Sequence, residues 1–168
     1  MAVDAAAESA LWRDCLRPDS ERDRSFVFSP LGEARYALGL ETIYEGYLVH
    51  DGRPRLFAPP DDDTALLLGD YLYAHGVARI SALHDVAAVA DLSELISLCS
   101  QVRAEGTDGD GPLWAATAAL LGGGALDEAR TALRLHSDPE PLETAARSEA
   151  GDEAVGVALA EHARRRVS

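Results

Sequence analysis

Apolar residues recur along this chain at intervals of three and four, and the breaks between runs fall on Gly, Pro and Asp. Both features belong to helices and their ends. Residues 3–16 place Ala and Leu at helical spacing and stop before Pro18. The Arg-, Asp- and Ser-rich stretch 17–29 reads as a polar linker. Pro30 suits a first helical position behind a Ser29 cap. The helix it opens runs to about His50, with Tyr36, Leu40, Ile43, Tyr44 and Tyr47 on one stripe, and Gly52 and Pro54 end it. A loop over 52–62 follows. Asp61, Asp62 and Asp63 then stand at a helix start, where negative charge meets the positive end of the dipole. That helix continues to about Leu83, His84 and Asp85 interrupt, and another spans Val86 to about Ala104. The Gly- and Asp-rich segment 105–112 reads as a loop. Shorter helices fit 113–121, 126–136 and 140–165, the last broken near Gly151. There is no internal repeat and no alternating run of strand length. The pattern predicts an all-α fold: a helical-bundle domain over 30–168 behind an N-terminal helix and linker over 1–29.

Composition sharpens this picture. The chain has 168 residues, enough for one domain with a proper core. It is 47% hydrophobic but only 6% aromatic, which favours closely packed helices over a sheet sandwich. A formal charge of −14 disfavours nucleic acid and anionic membranes as partners and also promotes solubility. All fifteen basic residues are arginine. Cys15 and Cys99 are too far apart in sequence to suggest a metal pair and read as small core residues. With no charged-then-apolar leader and no apolar run of about 20 residues, a cytoplasmic protein without a membrane span is expected.

Candidate chemistry is sparse. Glu41 and Glu45 lie one helical turn apart with His50 beyond, a spacing that can hold a metal between helices, but the Glu-x-x-His partners of a carboxylate bundle are missing. Glu161 and His162 read as a solvated or hydrogen-bonded helix edge. Tyr36, Tyr44, Tyr47, Tyr71 and Tyr73 suit either plain core or the wall of an apolar cavity. His75, His84 and His136 are isolated. No nucleophile elbow, Cys–His pair, phosphate loop or C-x-x-C is present.

Two blocks carry a resemblance. Leu40 to Pro54 ends in Val49-His50-Asp51 followed by Gly52-Arg53-Pro54, and Leu66 to Ala74 reads Leu-Leu-Leu-Gly-Asp-Tyr-Leu-Tyr-Ala. The first is similar to the L-[IV]-H-D-D helix and G-[RK]-P turn of isoprenyl (polyprenyl) diphosphate synthases, the second to their L-x-G-D-[FY] helix. Gln101-Val102-Arg103 stands where the family commonly has E-G-E, and Leu113 to Gly124 resembles its K-T-A segment. The likeness covers about 30–135 and implies a truncated isoprenoid synthase fold.

In that family, aspartate-rich motifs hold Mg²⁺ ions that bind a prenyl diphosphate. Here the later aspartates of the first motif are missing, no lysine exists, and Arg134 to Pro141 replaces the second motif. The resemblance therefore implies a degenerate, non-catalytic protein without a cofactor that acts by association. It would be a regulatory subunit or homodimeric scaffold. The implied interface uses helices at about 64–83 and 86–104, in a homodimer or with a full-length synthase, and Ala74, Gly76, Ala78, Ala87 and Ala90 allow close packing. Gly69, Asp70, Tyr71 and Tyr73 take structural or interface roles, with Asp70 expected as a buried carboxylate bonded across the core. Two alternatives remain. One is an Mg²⁺-dependent enzyme on a prenyl diphosphate, with His50, Asp51, Arg53, Asp62 and Asp63 as ligand-binding residues and Asp51 and Asp62 on the metal. The other is a helical protein that binds a prenyl or other apolar ligand.

Overall fold

The computed structural model describes residues 10–166. Eight α-helices occur among them: α1 (Ala10–Asp14), α2 (Ala37–Asp51), α3 (Asp62–Ser81), α4 (Val86–Glu105), α5 (Asp110–Ala119), α6 (Asp127–His136), α7 (Glu140–Ala150) and α8 (Asp152–Arg165). No strand forms among the described residues; isolated bridges join Leu16 to Phe57 and Gly52 to Arg166. The chain is all-α and folds as a helical bundle, as its periodicity requires. The expected first helix is seen from Ala10, and residues 3–9 of that expectation lie outside the described residues.

Helix α2 is the centre of the molecule. Every residue from Gly39 to Val49 is buried, although Glu41 and Glu45 lie among them. A helix covered on all sides has neighbours all round: α3 on one side, the segment around Phe28 on another, and α5 and α8 at its tyrosines. Phe28, Tyr44, Tyr47 and Trp114 form an aromatic core, with Phe28 stacked on Trp114 at 5.6 Å between ring centres. Against the other side of α2 a smaller cluster gathers Trp12, Cys15, Val49, Leu56, Phe57, Leu68 and Leu72.

The α2–α3 hairpin is glycine-packed. Gly39 and Gly46 on α2 face Gly76 and Gly69 on the antiparallel α3. A Cβ at Gly76 would stand 2.8 Å from the Gly39 carbonyl oxygen and 2.4 Å from Ile43 Cγ1, and one at Gly46 would stand 3.0 Å from the Gly69 carbonyl oxygen. The backbones approach too closely for side chains between them. Gly76, expected at an intermolecular interface, is therefore occupied within the chain.

Three boundaries differ from expectation. The helix expected from Pro30 begins at Ala37, after 3₁₀ turns at Ser29–Leu31 and Ala34–Tyr36. The cause is Gly32, whose extended backbone passes so close to α5 that a Cβ would lie 2.0 Å from the Ala118 carbonyl oxygen. The segment that reads as a polar linker enters the core at its end, where Val27, Phe28 and Ser29 are buried. Helix α4 stops at left-handed Gly106 (φ 65°), and α5 starts at Asp110 with Pro112 in its first turn, so the intervening loop is shorter than 105–112. Gly151 (φ 87°) separates α7 from α8, at the expected break.

Candidate functional site: a polar cleft at the end of α2

At the C-terminal end of α2, helices α3 and α4 leave a cleft of about 570 Å³. His50 and Asp51 come from α2, Asp70 and Tyr73 from α3, and Ile96, Ser100, Arg103 and Ala104 from α4. Four sequence-level candidates thus meet in one place. His50 Nε2 lies 3.2 Å from Asp70 Oδ1, and the His50 ring packs on Tyr73 at 5.3 Å. The reason is visible at Gly69: any Cβ there would fall 2.3 Å from His50 Nε2, so glycine makes room for the imidazole that Asp70 then meets. Arg103 closes the cleft, with Nε 3.5 Å from Asp51 Oδ1 and a hydrogen bond of 3.2 Å donated to the Asp51 carbonyl. Burial pushes the Tyr73 phenol well above its ordinary value, helped by Cys99, Asp51 and Asp70, so it stays neutral.

Asp70 corrects an expectation. Its side chain is 69% exposed. The stripe of α3 that packs on α2 runs through Leu68, Gly69, Leu72 and Gly76, and Asp70 falls outside it. Asp62 and Asp63 do not join the cleft. They sit exposed in the first turn of α3 behind Asp61, whose carboxylate accepts a hydrogen bond from the Thr64 amide at 2.8 Å. Arg53 is exposed, and its backbone N–H donates to the Arg165 carbonyl at 2.8 Å, tying the turn after α2 to the end of α8. Tyr71 is half-buried against Trp12 at 5.3 Å. Among the described residues no three His, Cys, Asp or Glu side chains gather as a metal ion would need.

The carboxylates that α2 does bury are matched within the chain. Glu41 Oε1 accepts three backbone amides, from Val27 (2.9 Å), Phe28 (3.0 Å) and Ser29 (2.9 Å). Its other oxygen meets Arg55 at 2.7 Å, and Arg55 Nε reaches Glu45 at 3.0 Å. Glu45 Oε1 also accepts the Leu56 amide at 2.7 Å. The spacing that suggested a metal instead holds one buried arginine and fastens two loops. Arg55 escapes a reading by helix pattern because it lies in a loop, although the two residues after it, Leu56 and Phe57, are apolar enough to mark it.

A second buried network joins α2, α5 and α8. The Tyr47 hydroxyl donates to Asp110, His162 Nε2 lies 3.4 Å from the same carboxylate, and Tyr44 meets His162 Nδ1 at 3.0 Å. Burial alone would raise the Asp110 carboxyl. The contacts with His162 and Tyr47, and the charge of Arg166, outweigh burial and hold it well below the usual carboxylate range. His162, read as a helix edge, is core. Cys15 and Cys99 are unpaired and buried, and burial raises both thiols, so neither is an activated nucleophile.

No family model, curated protein or solved structure matches this chain. No helix among the described residues is long and apolar enough to cross a membrane.

Proposed function

We propose that this protein is a non-catalytic relative of the isoprenyl diphosphate synthases that works by association, through the outer face of α3 and α4 as a twofold homodimer. One observation supports the reading: the exposed face of these helices carries a run of small residues flanked by exposed large apolar ones, with Asp70 and Glu94 the charges among them. Ala74 and Ala78 on α3 and Ala90, Ser93 and Ser97 on α4 are exposed. Leu66 and Leu67 flank this surface at one end of α3, and Leu83 and Val86, the latter 82% exposed, flank it at the other. With α3 crossing its copy near Ala74 and Ala78, the Leu67 end of one protomer meets the Leu83–Val86 end of the other, a self-complementary contact. Small residues at the crossing permit close approach, and the two carboxylates on this face each meet a side chain of the same chain, Asp70 at His50 and Glu94 at Arg134.

The non-catalytic part of the reading is supported by where several carboxylates stand. Glu41 and Glu45 hold Arg55, Asp110 holds Tyr47, and in the cleft Asp51 and Asp70 face Arg103 and His50. A diphosphate–Mg²⁺ complex would need several of them unpaired. Calorimetric titration of Mg²⁺ with farnesyl diphosphate into the protein tests this half of the reading. No metal-dependent heat is expected. Binding that requires Mg²⁺ and disappears in Asp51→Ala would contradict it and restore an enzyme with a remodelled site.

A further inference from the structure

A groove of about 540 Å³ runs between the segment before α2 and the last helix. Phe26, Val27, Pro30 and Leu31 form one wall; Ala154, Val157 and Ala158 of α8 form the other. On α8 these fall at 154, 157 and 158, one apolar stripe, and Val157 is 61% exposed. Phe26 is 45% exposed. Neither wall is slack. The three amides after Phe26, at Val27, Phe28 and Ser29, are all held by the buried Glu41 carboxylate. Helix α8 is anchored by buried Val155 and Ala158 and by the bond between His162 and Tyr44. An exposed aromatic on a fixed platform is what a binding hot spot requires, because little ordering remains to be done on docking.

The rim supplies the sign of the partner. Asp152, Glu153 and Glu161 line the groove, and none of the described lining residues is basic. Three arginines outside the groove lining meet two of these carboxylates, Arg147 at 3.6 Å from Asp152 and Arg164 and Arg165 at 2.6 and 3.6 Å from Glu161, while Glu153 is exposed. We infer that this groove is the docking site for a basic amphipathic helix of a partner protein. The partner's apolar face would seat on Phe26 and Val157, and its Lys or Arg residues would meet the acidic rim. None of the described lining residues belongs to α3 or α4, so a dimer built on the outer face of those helices does not use them.

A fluorescently tagged Leu/Lys amphipathic helical peptide, titrated into the full chain while backbone amide shifts are followed by NMR, tests the inference. A Leu/Glu peptide with the same apolar face serves as control. Saturable binding of the Leu/Lys peptide is expected, with shifts centred on residues 26–31 and 150–161. Val157→Asp is the deciding variant. It adds negative charge, so a peptide held only by the acidic surface binds it as well or better, whereas a peptide seated in the groove weakens by at least about tenfold. Because Val157 is exposed, the variant keeps its fold, which the rest of its amide spectrum verifies. Unchanged or tighter binding to Val157→Asp, equal binding of the Leu/Glu peptide, or shifts centred elsewhere would each overturn the inference. Shifts at the groove that follow protein concentration without peptide would assign it to a second copy and overturn it as well.

Discussion

Arg55 shows how one side chain can decide a region. It is buried between Glu41 and Glu45, so removing it strands two carboxylates away from water. Arg55→Met is expected to lower stability by about 3–5 kcal/mol in urea denaturation, a larger effect than replacing an exposed arginine such as Arg53. Asp110 makes the acid side of stability testable. Its carboxyl titrates lower in the folded chain than in the unfolded one, so its stabilisation is complete above the unfolded value of about 4 and is lost as pH falls below it. The stability gap between the parent and Asp110→Asn should therefore be full at neutral pH and shrink in acid, as read by unfolding at each pH. Tyr36 behaves in the opposite direction. Burial and its bond to Asp85 raise the phenol to about 12, so its contribution holds below about pH 10 and fades as pH rises through 12. Tyr36→Phe should remove that part of the alkaline loss. None of these roles is written in local sequence. A helical pattern ranks Glu41, Asp110 and His162 as surface residues, and only their partners from distant segments explain why they are inside.

At the scale of elements, the same substitution should act with opposite sign at two helical glycines. Gly156 in α8 has no neighbouring atom within 4 Å of the place an added methyl would take, so Gly156→Ala should stabilise by about 1 kcal/mol through helix propensity alone. Gly76→Ala gains the same propensity but drives its methyl onto Ile43 and the Gly39 backbone, for a net loss of about 1–3 kcal/mol. Thermal unfolding of the two variants side by side measures both. The sequence makes the long helices legible because their apolar period and their Gly, Pro and Asp breaks agree. It also hints at the hairpin: Gly39 and Gly46, like Gly69 and Gly76, are seven residues apart, a recurrence that marks one face of each helix. The late start of α2 is not legible, since the need for Gly32 arises only where α5 passes it. The exposure of Asp70 is hidden for a similar reason. Which α3 residues turn inward is set by its glycine contact with α2, and that contact excludes Asp70. The cleft is half legible: His50, Asp51, Asp70 and Tyr73 stand out in the sequence, whereas Arg103 reaches them only through the fold.

For the whole molecule, α3 packs its glycine stripe on α2 and leaves Ala74 and Ala78 exposed on its outer side, beside the exposed Ala90, Ser93 and Ser97 of α4. Buried ion pairs fix the interior, and association would be the work of that outer face. Sedimentation equilibrium of the parent chain beside Ala78→Glu tests this most directly. The substitution places a charge at the proposed crossing without touching the buried stripe of α3, so circular dichroism should stay unchanged. The account predicts a dimer for the parent in the micromolar range and a monomer for the variant. A parent chain that remains monomeric throughout, or a dimer that Ala78→Glu leaves intact, would contradict it.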